Sequence, residues 1–298
     1  MIVARIDDLV GVDFVTAKVK AYFELLKFRL SFLVAFSCAF GYVLASSHVN
    51  WITLFMLFLG GFLLSGASVI INQIIEKDLD RLMTRTMNRP LPTFRVSVNE
   101  ASAVAVACLF CGITILLLYT NVLTTLLSVV SMILYGFVYT PLKRVGPVAV
   151  FVGAIPGALP PLLGWVAATG GISHEALIIF GIQFIWQFPH FWAIAWVSDD
   201  DYKKAGFKLL PSNGEKDLNT AIQIMIYTMF LIPLGLLPAT FGITGLNSAI
   251  VVTVCGVLFF AQTFSLMRSG DRKSALKIMF GSFLYLPIVQ IAYLLDKV

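Results

Sequence analysis

In 298 residues the chain carries 59% hydrophobic and only 12% charged side chains, with a mean hydropathy of +0.91. That balance excludes an ordinary soluble domain and leaves little polar sequence for one beside a membrane region. The net charge of +5 needs no nucleic-acid partner, because its placement along the chain has a topological cause.

Residues 1–27 are expected to form a short cytoplasmic segment. No cleavable signal peptide is expected in it, and Asp7, Asp8 and Asp13 argue against a mitochondrial presequence. Segment 14–29 spaces Val15, Val19, Tyr22, Phe23 and Leu26 near helical intervals, with Lys18, Lys20 and Lys27 between them. It either lies on the inner leaflet or extends the first span. Apolar segments of spanning length follow at roughly 30–47, 51–73, 100–119, 122–140, 147–168, 176–197, 219–239, 246–267 and 276–295. The expected fold is an all-α polytopic membrane protein: about nine transmembrane helices in a single bundle, with residues 1–298 forming one intramembrane domain.

Nine spans place the loops alternately on two sides. One side receives Arg5 and Lys18–Arg29, then Lys77–Arg95, Lys143 and Arg144, Lys203–Lys216, and Arg268–Lys277. The other receives only Lys297. This asymmetry assigns the N-terminus and the charged loops to the cytoplasm. Two of these inner loops are long, Lys77–Asn99 and Ser198–Leu218, whereas the outer connections are short and nearly uncharged. Long charged loops on one face of a bundle are where function is expected. Each runs from acids at a helix end, through basic residues, to Leu-Pro, a weak sign of two related halves. Cys108 and Cys111 form a C-x-x-C inside an apolar span, without a basic neighbour to favour a thiolate. We take them as packing residues.

The motif richest in chemistry closes the second span. Asn72, Glu76 and Asp80 are four residues apart and share one helical face, while Asp78 points away. Oxygen donors in a row, with Arg85 and Arg89 just beyond, match the needs of a magnesium–diphosphate pair. The bland alternative is solvated charge at a helix end, but Asn72 and Glu76 fall within or at the edge of the span, where polar groups are costly. Lys143 and Arg144 at another inner helix end are candidate diphosphate donors or topogenic charges. Asp199, Asp200 and Asp201 open the second long loop. His190 lies within a span in Trp186-Gln187-Phe188-Pro189-His190-Phe191-Trp192, about 10 Å from the inner end. Intramembrane histidine is either a functional group or a hydrogen-bonding link between helices.

Asn72-x3-Glu76-x3-Asp80, Arg85-Thr86, Arg89-Pro90-Leu91 and Tyr139-x3-Lys143-Arg144 resemble the intramembrane aromatic prenyltransferases. Pro189-His190-Phe191 and Asp201-Tyr202…Gly206…Leu210-Pro211 are similar to the haem-farnesylating branch of that superfamily. The chain departs from the pattern at Gln73, Glu76 and Phe28, and Ser198 and Tyr202 stand where the second loop usually carries acids. The resemblance implies transfer of farnesyl from farnesyl diphosphate to a vinyl group of haem B, with addition of water, to give haem O for a terminal oxidase. It implies magnesium as cofactor, held by Asn72, Glu76, Asp80 and Asp201. It further implies diphosphate held by Arg85, Arg89, Lys143 and Arg144, and His190 acting on the haem side, as an iron ligand or by positioning the porphyrin. The expected location is the bacterial inner membrane, with the lipid bilayer as the surrounding. The resemblance says nothing of contact with haem A synthase or with the oxidase. A quinone precursor as acceptor, or a secondary transporter with two related halves, are the competing expectations.

Overall fold

A computed structural model describes residues 12–298. The expectations for Arg5, Asp7 and Asp8 lie outside the described residues. Helix α1 (Val12–Leu25) is separate from the first span. Lys27 breaks the chain with a left-handed φ of 44°, and α2 (Phe28–Ala45) starts beyond it. An ion pair between Lys18 and Glu100, at 2.8 Å, ties α1 to the start of α4 (Val98–Tyr119).

Nine helical stretches among the described residues are long and apolar enough to cross a membrane. They are α2, α3 (Trp51–Asp80), α4, the stretch from α5 (Val122–Ile133) to α6 (Thr140–Leu142), α7 (Val148–Thr169), α8 (His174–Val197), α10 (Leu218–Thr240), α11 (Leu246–Ser269) and α12 (Arg272–Leu295). A short helix, α9 (Asp199–Lys204), leads into the second long loop. The expected spans are all present. The main difference is α3, which continues helical through Glu76 to Asp80 rather than ending near residue 73.

Side-chain caps fix several helix starts. Asn50 accepts from Ile52 N and Thr53 N, and Ser97 and Glu100 form a reciprocal capping box. Helices α2, α3 and α4 pack in sequence order. Helices α8, α10, α11 and α12 form a second group, and α12 touches both α8 and α2. Helix α7 runs between the groups, against α2 and α8, and is the most buried span. Its contact with α2 is made backbone to backbone. A Cβ added at Gly41 or Gly164 would lie 1.9 Å from the carbonyl oxygen of Pro161 or Cys38. Small residues permit such approach, and close packing is what holds helices together in lipid. Around the outside, Phe110, Leu118, Phe280 and Leu284 are exposed, as a lipid-facing surface requires.

Helix α7 also carries Pro156, Pro160 and Pro161. A proline has no N–H, so each of the last two frees the carbonyl four residues earlier. Both freed carbonyls find side-chain donors: Ser131 Oγ donates to Pro156 O at 3.4 Å and Gln183 Nε2 to Gly157 O at 2.8 Å. The Lys/Arg-rich loops meet at one end of the bundle. Asp201 joins the first long loop, Lys208 N donates to Lys143 O, and Arg272 Nε donates to Val197 O. Lys297 is anchored at the opposite end, on the carbonyls of Val43 and Ser46.

Candidate active site

Where α5 reaches the charged end it widens into a single π-helical stretch, Leu134–Tyr139. Such insertions recur at functional sites because they re-aim side chains. Thr140 Oγ1 donates to Tyr135 O at 2.9 Å and accepts from Asn72 Nδ2 at 3.0 Å. This fixes the Asn72 amide and leaves its carbonyl oxygen without a hydrogen bond among the described residues. Asn72, Glu76 and Asp80 are all buried on one face of α3, while Asp78 is exposed beside Arg81.

Each buried acid has a basic partner. Arg89 Nη1 lies 2.9 and 2.7 Å from the two Asp80 oxygens. Lys143 Nζ donates to Glu76 Oε2 at 3.1 Å. Glu76 Oε1 is 2.9 Å from the same nitrogen, yet its angle makes no hydrogen bond and the atom is buried. Burial alone would pull the Lys143 ammonium down, but Glu76, Tyr135 and Tyr202 together outweigh that and hold it above the ordinary lysine range. Lys143 also lies 4.8 Å from the centroid of the Tyr139 ring.

The first long loop folds back to bring Arg89 to Asp80. Thr86 Oγ1 donates to Asp80 O at 2.9 Å, and Arg89 N to Thr86 O at 3.0 Å. Asp201 clamps this loop from the second one. Its carboxylate accepts from Thr84 N and Arg85 N at 3.1 and 3.0 Å, and from Lys204 at 3.0 Å. The Lys204 bond, then those two amides, hold Asp201 well below the usual carboxylate range. Asp199 is the buried acid of the three, paired with Lys203 and Lys216, whereas Asp200 is exposed. Arg85 and Arg144 are exposed at the rim, and Arg85 stands 5.9 Å from the Tyr202 ring centroid.

Inside the bundle, next to this platform, lies a cavity of about 380 Å³. Its wall includes Tyr135, Tyr139, Trp186, Gln187, His190 and Phe191, and is otherwise mostly apolar. His190 stacks on Trp186 with ring centroids 4.4 Å apart, and its Nδ1 lies 2.8 Å from Ser282 Oγ. The Ser282 hydroxyl donates to Met279 O. Nδ1 therefore carries the proton that Ser282 Oγ accepts, and Nε2 keeps a bare lone pair. Farther along the wall, Gln183, Gln290 and Ser37 bond one another at 2.9–3.1 Å.

The structure thus brings Asn72, Glu76, Asp80, Arg89 and Lys143 together, sets Arg85 and Arg144 at the edge, turns Asp201 towards backbone amides, and places His190 on the cavity wall. Sequence reasoning missed Lys27, whose environment includes Arg89, Lys143, Asp80 and Glu76 and which has no ion pair among the described residues. A lysine directly before the first apolar run was the available signal. Sequence reasoning quoted Tyr139 and Gln187 within motifs without giving either a role, and it passed over Tyr135; all three line the cavity only because of tertiary packing.

As a test of magnesium, the donors present are suitable: two carboxylates and a free amide oxygen, one carboxylate oxygen being buried without a hydrogen bond. Among the described residues no three His, Cys, Asp or Glu side chains converge, so phosphate oxygens or water would complete a coordination shell.

The profile of the UbiA prenyltransferase family matches residues 34–286. A protoheme IX farnesyltransferase of Cytophaga hutchinsonii is 51% identical over 280 residues, covering 94% of this chain and 98% of the relative. A structure concerned with digeranylgeranylglyceryl phosphate synthase superposes with a TM-score of 0.78 at 20% identity, covering 94% of this chain and 98% of that one. An Archaeoglobus fulgidus UbiA homologue bound to GPP and Mg2+ gives 0.62 at 18% identity, covering 92% and 99%. The likeness runs along nearly the whole chain and includes the span that bears the acids, so this chain belongs to the UbiA prenyltransferase family.

Proposed function

We propose that this prenyltransferase transfers the farnesyl group of farnesyl diphosphate to a vinyl group of haem B, with addition of water, to give haem O. The observation that carries the reading is a buried platform of paired acids and bases beside an apolar cavity whose wall presents the free Nε2 of His190. The name of the Cytophaga relative supports the acceptor and the prenyl length. A quinone precursor would give no special use to His190.

Asn72, Glu76 and Asp80 would hold magnesium, with Asp201 approaching from the second loop if it leaves its amide partners. The magnesium bound in the Archaeoglobus homologue supports this requirement. Bound magnesium would supply positive charge against the negative charge growing on the departing diphosphate. Arg89 and Lys143 would exchange their carboxylate partners for diphosphate oxygens, with Arg85 and Arg144 joining from the rim. Tyr135 and Tyr139 line the cavity, and Tyr139 lies beside Lys143 of the charged mouth. The apolar wall would hold the farnesyl chain and porphyrin and keep bulk water from the allylic cation. His190 would ligate the iron or position the porphyrin.

The chain would work as one domain in the bacterial inner membrane, with the N-terminus and charged loops cytoplasmic, as the positive-inside rule requires. The test is purified protein given haem B, farnesyl diphosphate and magnesium, followed by the mass of the extracted haem. A product carrying farnesyl plus water is expected. Unchanged haem would overturn the proposal.

A further inference from the structure

Three amides line the cavity. Gln183 and Gln290 satisfy each other and Ser37. Gln187 does not. It is only 5% exposed, faces the cavity and has no hydrogen bond among the described residues. Gly157 on α7 makes room for it: a Cβ there would sit 2.5 Å from Gln187 Nε2 and 2.9 Å from Oε1. An amide held in a buried, mostly apolar pocket without a protein partner needs a polar guest, and an amide can both donate to and accept from one water.

The position of Gln187 relates that guest to the reaction. It lies one helical turn from Phe191, whose ring centroid is 6.5 Å from that of Tyr139 beside the charged platform. It is also three residues from His190, on the same wall. Resting on the proposed farnesyl transfer, we propose that Gln187 holds the water that completes the new side chain.

The farnesyl C–O bond breaks and diphosphate leaves with the electron pair. The terminal vinyl carbon forms the new C–C bond, which leaves positive charge on the vinyl carbon attached to the porphyrin. The water oxygen donates an electron pair to that carbon. A water O–H bond then breaks, and its proton passes to the released diphosphate. Without a placed water the same cation loses a proton from carbon and ends as an alkene, lighter by one water.

The test is product mass in isotopically labelled water for wild type, Gln187→Leu and Gly157→Ala. Leu removes the amide at similar volume, and Ala pushes the amide aside. Farnesyl diphosphate and haem binding report on folding. Should Gln187→Leu lose binding, Gly157→Ala carries the same readout. Labelled hydroxyl in the wild-type product is expected. In the variants the hydroxylated fraction should fall at least tenfold in favour of the alkene, while farnesyl transfer continues. Wild-type hydroxylation in a binding-competent variant would overturn the assignment. Wild-type protein that attaches no farnesyl would overturn the proposed function and this step with it.

Discussion

Asp80, wholly buried, holds the guanidinium of Arg89 through both carboxylate oxygens, nine residues along the chain. The acid proposed for metal and the base proposed for diphosphate therefore neutralise each other before either ligand arrives. Glu76 and Lys143 repeat the arrangement across two helices. Either ligand alone would break a buried pair and leave an uncompensated charge, whereas both together exchange partners without one.

Magnesium and farnesyl diphosphate should thus bind with positive coupling. Calorimetric titration is expected to show the diphosphate binding at least tenfold tighter with magnesium, or about 1.4 kcal/mol. Equal affinity with and without the metal would contradict the exchange.

Arg89→Ala should destabilise the protein by about 3–5 kcal/mol, because it strands the buried Asp80. Arg89→Lys is the more informative variant. It keeps the charge but loses the planar guanidinium, so it should fold and yet bind farnesyl diphosphate more weakly. Thermal unfolding and binding, measured on the same samples, separate the two effects.

Asp80→Asn should lower metal-dependent turnover by about a hundredfold or more, the scale of losing one strong electrostatic contact to a transition state. Asp78→Asn, on the exposed side of the same helix, should be mild. The reverse order in the haem product assay would show that the α3 face is misassigned.

Lys27 supplies a pH signature. Burial, then Arg89 and Lys143, pull its ammonium down to about 7, against the opposing pull of Asp80 and Glu76. A diphosphate bound nearby would favour the charged form. Binding should therefore take up close to one proton near about pH 8 and much less near about pH 6, and affinity should weaken as pH rises through about 7. Calorimetry in two buffers of different protonation enthalpy measures the uptake, and Lys27→Met should abolish it. Persistent uptake in that variant would assign the proton elsewhere.

His190→Ala should alter the absorption spectrum of bound haem while leaving farnesyl diphosphate affinity unchanged, because His190 lies on the cavity wall and makes no contact with the paired acids. Ser282→Ala should give a smaller spectral change, since it releases Nδ1 but leaves Nε2 in place. An unaltered spectrum in both would reduce His190 to a link between α8 and α12.

The spans, the concentration of Lys and Arg in alternate loops and the common face of Asn72, Glu76 and Asp80 were legible in the sequence. Apolar run length, loop charge and a 3.6-residue period are local properties of a chain in a bilayer. Tertiary structure decided what no local pattern encodes. It paired Asp80 with Arg89 and Glu76 with Lys143, turned Asp201 towards the amides of Thr84 and Arg85, and brought Lys27 near them from the first helix break. It also opened a π-helical stretch before Thr140 and left Gln187 facing a cavity while Gln183, one turn away, was satisfied. Those outcomes depend on which helices pack together and on which polar atoms packing leaves without a partner, and two glutamines on the same face of one helix do not differ until the bundle has closed around them.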